Sequence, residues 1–211
     1  MAEDTDKIKL LACGVDIGIA GGFGMVLGDR VLLACQVNGS SAVLQELEGD
    51  HKKLTAKDKK KKRYVDGTLA PVTTRTFDSS EMIELLLKAK KIARKNGYEG
   101  IYVAVEAPQL HIGKTHPSGY LVTGGCFHTW AYALDLCSVP WGTVAPSHWK
   151  SGMKLTSDKL LSTTRLCDLT ANATELMVTP KKRLLDDHNV CEAVLLALWL
   201  QKHCTRVLRR K

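Results

Sequence analysis

The chain opens with three short apolar runs separated by glycine-bearing turns. Residues 8–16 are mostly apolar and end on Asp16, Gly18 to Gly22 make a glycine-rich turn, Phe23 to Leu27 return, and Gly28-Asp-Arg30 leads into Val31 to Val37. Apolar runs joined by such short glycine connections predict an antiparallel meander. Residues 38–76 lose this pattern and read as an exposed loop or small insertion. A helix follows, with Ser79 or Ser80 as cap and Glu81 in the first turn. Its apolar face is Ile83, Leu86, Leu87 and Ile92, positive charge from Lys88 to Lys95 lies toward its end, and Gly97 stops it. Gly100 to Glu106 reads as a buried strand, broken by Pro108. Helices over residues 119–137, 157–170 and 187–203 and a short strand over 141–144 complete the pattern. Three strands in succession, then strands alternating with helices, predict an α/β fold. Its mixed sheet has an antiparallel front half and parallel additions, flanked by helices.

Charge adds a partner class to this picture. The 211 residues carry a formal net charge of +8. Residues 51–63 hold seven Lys and one Arg against one Asp, nearly the whole excess, with Lys59, Lys60, Lys61, Lys62 and Arg63 in one block. A second basic group closes the chain at Arg206, Arg209, Arg210 and Lys211. Such patches attract phosphate backbones and make binding salt-dependent. A solvated charged loop or a nuclear-localisation signal accounts equally well for the run taken alone. Hydrophobic residues make up 45% of the chain, an ordinary globular proportion, and no stretch nears the roughly 20 apolar residues of a membrane span. A single domain over residues 1–211, with the lysine-rich loop or insertion at about 38–77, is the expected organisation. The acidic, polar N-terminus lacks the marks of a secretory or transit signal. The seven cysteines are odd in number, form no Cys-x-x-Cys and mostly sit in apolar runs, which predicts buried thiols in a reducing, intracellular compartment.

The acids point to chemistry. Asp16 ends an apolar strand at a glycine turn, where Asp is also a routine turn former. Glu106 terminates Ile101-Tyr-Val-Ala-Val105, and a carboxylate there needs a metal, a basic partner or a proton. Glu192 falls two residues into an apolar stretch of the last helix and demands a partner of its own. His188 lies one turn before it on the same face. Asp186 or Asp187 can cap that helix. On an ideal helix Asp187 points about 140° away from Glu192, but it converges if it sits on the incoming turn. Acids at strand ends and a helix start suit Mg²⁺, a hard cation that takes carboxylate, water and phosphate oxygens. Two such ions about 4 Å apart activate a water and stabilise a leaving oxygen in phosphodiester cleavage.

With these pieces in place the chain resembles the RNase H-like nucleases, and within them the RuvC-type Holliday junction resolvases of the organellar and phage-like branch. The matching segments are Gly14-Val-Asp-Ile-Gly18 with Gly24, Val103-Ala-Val-Glu-Ala107, Pro146-Ser-His-Trp-Lys150 with Thr156-Ser-Asp-Lys159, and Asp187-His with Glu192-Ala193. The resemblance implies Asp16, Glu106, Asp187 and Glu192 as catalytic metal ligands, with Asp186 and His188 as further candidates in that segment. It implies two Mg²⁺ ions per site, with Mn²⁺ as a substitute. Lys150 is expected in catalysis and DNA contact, and Lys114, Lys154 and Lys159 in DNA contact. Trp149 reads as packing, and the loop from Ala107 to Tyr120 as facing the DNA.

The expected function is therefore a homodimeric endonuclease that resolves four-way DNA junctions by paired hydrolysis. Gly124 and Gly125 would admit a close helix approach between the two copies. Two alternatives stay open: the same fold acting on RNA–DNA hybrid or other branched DNA, and a non-catalytic basic nucleic-acid-binding module. Fold alone does not choose among them.

Overall fold

The structure, a computed structural model, describes residues 9–18, 20–38, 41–45, 64–65, 68–69, 72–76, 79–109, 117–156, 158–180 and 182–207. Side chains at 20, 38, 41–45, 64–65, 68–69, 72–76, 117–121, 159 and 204–207 are outside that description. The lysine block 59–63, Lys114 and most of the loop after Glu106 also lie outside the described residues.

The chain divides into two compact units, Met1–Gly39 with Asp78–Lys211, and Ser40–Phe77. The first unit begins with β1 (Leu10–Asp16), β2 (Ala20–Leu27) and β3 (Arg30–Asn38), paired antiparallel in succession as the apolar runs predict. The second unit contains β4 (Ser41–Gln45) paired with β7 (Val72–Thr76), and β5 (Tyr64–Val65) paired with β6 (Thr68–Leu69). The segment expected as an exposed loop or small insertion thus contains short strands of its own. Val72–Thr76 in particular has the β-branched composition that strands favour.

Back in the first unit come α1 (Ser80–Lys95), β8 (Gly100–Glu106), α2 (Pro117–Leu136), β9 (Trp141–Val144), α3 (Pro146–Gly152) and α4 (Lys159–Leu169). A small hairpin of β10 (Met177–Thr179) and β11 (Lys182–Arg183) then leads through a 3₁₀ turn into α5 (His188–Val207). The sheet order is β3-β2-β1-β8-β9, with β1, β8 and β9 parallel. This is the mixed sheet that the order of elements predicts.

Alternation along the strands splits the core between the two faces. Cys13, Val15, Val103 and Val105 point to the side covered by α1 and α2, where Phe23 stacks on Trp130 with ring centroids 6.2 Å apart. Ala12 and Ala104 point to the other side, which α5 and α3 cover through Val194, Leu196, Ala197 and Trp149. Small residues let α5 lie directly on the sheet backbone. A Cβ on Gly14 would run into the Ala193 carbonyl, and one on Gly24 would lie 2.6 Å from Val194 Cα.

The helices also revise two details of the sequence reading. On α1 the buried residues are Met82, Leu85, Leu86, Ala89 and Ala93, while Leu87 is exposed, so the buried stripe is rotated from the one expected. Ser79 occupies the cap position of α1 without a side-chain cap bond, whereas Gly97 ends the helix at φ +79°, in its expected role. Asp158 caps α4 by accepting the Leu160 N–H at 2.9 Å. The six cysteines whose side chains are described form no disulfide with one another, and burial pushes Cys35 and Cys191 up to about 12. Among the described residues no helix is long and apolar enough to cross a membrane.

Candidate active site

Register and helix placement bring the acids together. Val15 lies opposite Val105 in the parallel pair β1–β8, so Asp16 and Glu106 end adjacent strands on the face that α5 covers. Glu192 lies on the first turns of α5, which Gly14 and Gly24 hold close against that face. Asp187 does not belong to the helix proper. It sits in extended backbone immediately before it, and accepts the Val190 N–H through Oδ1 at 3.3 Å and the Cys191 N–H through its carbonyl at 2.9 Å. It thus caps α5 from the incoming turn, and turns the same way as the other acids despite the 140° that an ideal helix would impose.

The electrostatics record this convergence. Asp16 is raised from 3.8 to about 7, first by burial and then by the charges of Glu106, Glu192 and Asp187, against the lowering effect of Lys150. Glu106 is also raised, first by burial and in part by Glu192, while Lys150 and a hydrogen bond from Trp149 pull the other way.

The remaining side chains answer individual acids. The Trp149 indole is fully buried and donates Nε1–H to Glu106 Oε2 at 2.9 Å, so its expected packing role is combined with holding an acid in place. Lys150, the next residue, reaches Glu192 Oε2 at 2.8 Å. Burial alone would lower its pKa, but the bond to Glu192 and the charges of Glu106, Glu192 and Asp16 raise it above the ordinary value. His188 Nε2 is 3.3 Å from Glu192 Oε1, as the one-turn spacing predicts, and Ser162 donates to the same oxygen at 3.4 Å. Lys182 donates to Asp187 Oδ2 at 2.8 Å.

Other predicted residues stand apart. Asp186 is exposed and accepts from the Arg183 backbone N–H at 3.3 Å, which makes it a turn residue. Lys154 is exposed on the turn after α3 at φ +58°, and Lys159 is the first residue of α4, one turn before Ser162. Sequence reasoning passed over Lys182 and Ser162, because each acquires its importance from a partner supplied by another element.

The donor set is chemically suited to a hard divalent cation: four carboxylates, two of them held above their usual range by burial and mutual repulsion. Among the described residues, no three His, Cys, Asp or Glu side chains are grouped as they stand so as to hold a metal ion. Two of the four acids are instead matched by lysines.

No protein-family model matches the chain, and no curated protein sequence matches it. Among solved structures, that of Thermus thermophilus RuvC superposes with a TM-score of 0.51 at 14% identity, covering 94% of this chain and 98% of that one. T. thermophilus RuvC in complex with a Holliday junction substrate gives a TM-score of 0.44 at 12% identity, over 95% of this chain and 96% of that one. The yeast mitochondrial Holliday junction resolvase Ydc2 gives 0.43 at 13% identity, over 96% and 84%. The first of these likenesses shows that this chain has the RNase H-like fold of RuvC, as the sequence motifs imply.

Proposed function

We propose that this chain is a divalent-metal-dependent endonuclease that acts on branched DNA and resolves four-way junctions by paired nicks as a homodimer. The observation that carries this reading is the meeting of Asp16, Glu106, Asp187 and Glu192 at the ends of β1 and β8 and the start of α5, in a RuvC-like fold. Repelling carboxylates beside a phosphate backbone would weaken binding unless cations joined them, so the cluster argues against a purely binding role.

Asp16, Glu106, Asp187 and Glu192 would hold Mg²⁺ or Mn²⁺. When bound, the ions supply an activated water and neutralise charge on the leaving oxygen. The protein's own residues fix the acids. Trp149 orients Glu106, and Ser162 and His188 orient one oxygen of Glu192. Lys150 stands beside these acids, where a phosphate oxygen would meet it, and Lys154 and Lys159 flank it on the turn after α3 and at the start of α4. The lysine block 59–63 supplies long-range attraction to the backbone.

A junction of near two-fold symmetry calls for two sites in matching orientation, which a C2 dimer supplies. The outer face of α2 supports this assembly. Gly124 has open space beside it, and His128, Tyr132 and Leu136 follow it at four-residue intervals, all exposed. In this reading residues 40–77 are an insertion into a single nuclease domain.

The test compares four-way junction, duplex, flap and RNA–DNA hybrid in Mg²⁺, using wild type, Asp16→Asn and Glu106→Gln. Symmetric paired nicking of the junction is expected, lost in both variants while junction binding persists. Equal cutting of hybrid and junction would replace the substrate assignment, and no metal-dependent cutting of any substrate would reduce the protein to a binding module.

A further inference from the structure

The four acids are answered unequally. Glu192 and Asp187, whose side chains are only 8% and 4% exposed, are each bonded at 2.8 Å by a lysine from a separate element, Lys150 on α3 and Lys182 on β11. Asp16 and Glu106 have no lysine bonded to them among the described residues. The lysines sit differently from the acids they match. Lys150 and Lys182 are 27% and 39% exposed and project from a seven-residue helix and a two-stranded hairpin, whereas the acids sit at the start of the buried helix α5. Either ammonium can therefore turn outward without opening the core. Without its ammonium each buried acid would keep only weaker partners, Ser162 and His188 for Glu192 and the Val190 N–H for Asp187, so a replacing cation is strongly favoured.

Resting on the nuclease reading above, we propose that Lys150 and Lys182 are built-in counter-ions that exchange their acids for the phosphates of the DNA, so that the full metal complement assembles only with substrate bound. The charge balance supports this. Four ionised acids and two lysines leave a charge of −2, which one divalent ion neutralises. With both lysines turned to phosphates the four acids leave −4, which accommodates two. DNA and the second ion thereby favour each other's binding, and by linkage the effect is reciprocal. Lys182 acquires a specific role in this exchange. It is a positioning residue that keeps Asp187 aligned in the free protein and becomes a phosphate contact in the complex.

The experiment measures Mn²⁺ binding to the full-length protein by electron paramagnetic resonance, without DNA and then with a phosphorothioate four-way junction, after subtraction of Mn²⁺ bound by the junction alone. The wild type is expected to bind one Mn²⁺ per chain alone and two with the junction. Lys182→Met should bind Mn²⁺ about tenfold more tightly without DNA, and Lys150→Met combined with Lys182→Met should hold two ions without DNA. Lys182→Arg, which keeps the charge, should behave as wild type. A parallel readout is thermal: Lys182→Met should melt lower than wild type in EDTA and recover when Mn²⁺ is added. Two ions on the DNA-free wild type, or an unchanged affinity in Lys182→Met, would overturn the exchange and leave the nuclease reading standing. Absence of Mn²⁺ binding with and without the junction would overturn both.

Discussion

Asp16→Asn should make the metal-free protein more stable at neutral and alkaline pH, even as it destroys the proposed activity. Asp16 is held at about 7 instead of 3.8 by burial and by Glu106, Glu192 and Asp187. A group whose pKa rises on folding favours the native state at low pH and withdraws that support as it ionises. The wild type therefore loses stability as pH climbs from about 4 to about 7 and levels off above. At roughly 1.4 kcal/mol per pKa unit the full penalty is at most about 4 kcal/mol. Screening at the partly exposed strand end brings it to about 2 kcal/mol. Asparagine cannot ionise and escapes the loss. Urea unfolding in EDTA from pH 4.5 to 8.5 should show little difference between the two proteins at the acid end. At pH 8 the variant should be about 2 kcal/mol more stable. Adding Mg²⁺ should stabilise the wild type more than the variant, because the variant has lost one of the four carboxylates that would hold the ion. A difference that does not vary with pH, or a variant less stable than wild type at pH 8, would refute the electrostatic reasoning.

Three further outcomes follow from the same geometry. Gly24→Ala drives a methyl into the backbone of Val194 and should lower the urea midpoint, by an amount equivalent to about 1–3 kcal/mol, with m unchanged. Trp149→Phe keeps the ring and removes the bond that lowers the Glu106 pKa, so the acid limb of the nicking pH profile should move to higher pH; an unmoved limb would detach Trp149 from the chemistry. Replacing Lys59 to Lys62 with Gln should weaken junction binding and flatten its salt dependence by up to about four charges' worth of slope; an unchanged slope would show that the block does not touch DNA.

The sheet was legible because its strands are uninterrupted apolar runs punctuated by glycine, and Asp16 and Glu106 were legible because each closes such a run. Glu192 announced itself by breaking an apolar stretch, and residues 190–200 are indeed all buried in α5. The convergence of Asp187 was a choice between helix and incoming turn that local pattern leaves open, and backbone conformation resolves it in favour of the turn. What stayed hidden depends on long-range partners. The seven-residue α3 is too short to show periodicity, yet it delivers both Trp149 and Lys150 to acids about 42 residues away in sequence. Lys182 looks like one more basic residue in a turn until the hairpin folds it back onto Asp187, and Ser162 is an unremarkable helix residue until α4 packs on α5. The rotated stripe of α1 has a similar cause, since two overlapping apolar faces were available and contact with the sheet selected one.

The central claim is that four acids remote in sequence share divalent ions in one pocket. Anomalous diffraction from crystals of the protein–junction complex grown with Mn²⁺ tests it directly. Peaks are expected among the carboxylates of Asp16, Glu106, Asp187 and Glu192 and nowhere else in the unit formed by Met1–Gly39 and Asp78–Lys211. Peaks confined to other residues, or a pocket that stays empty at saturating Mn²⁺ with DNA bound, would contradict it.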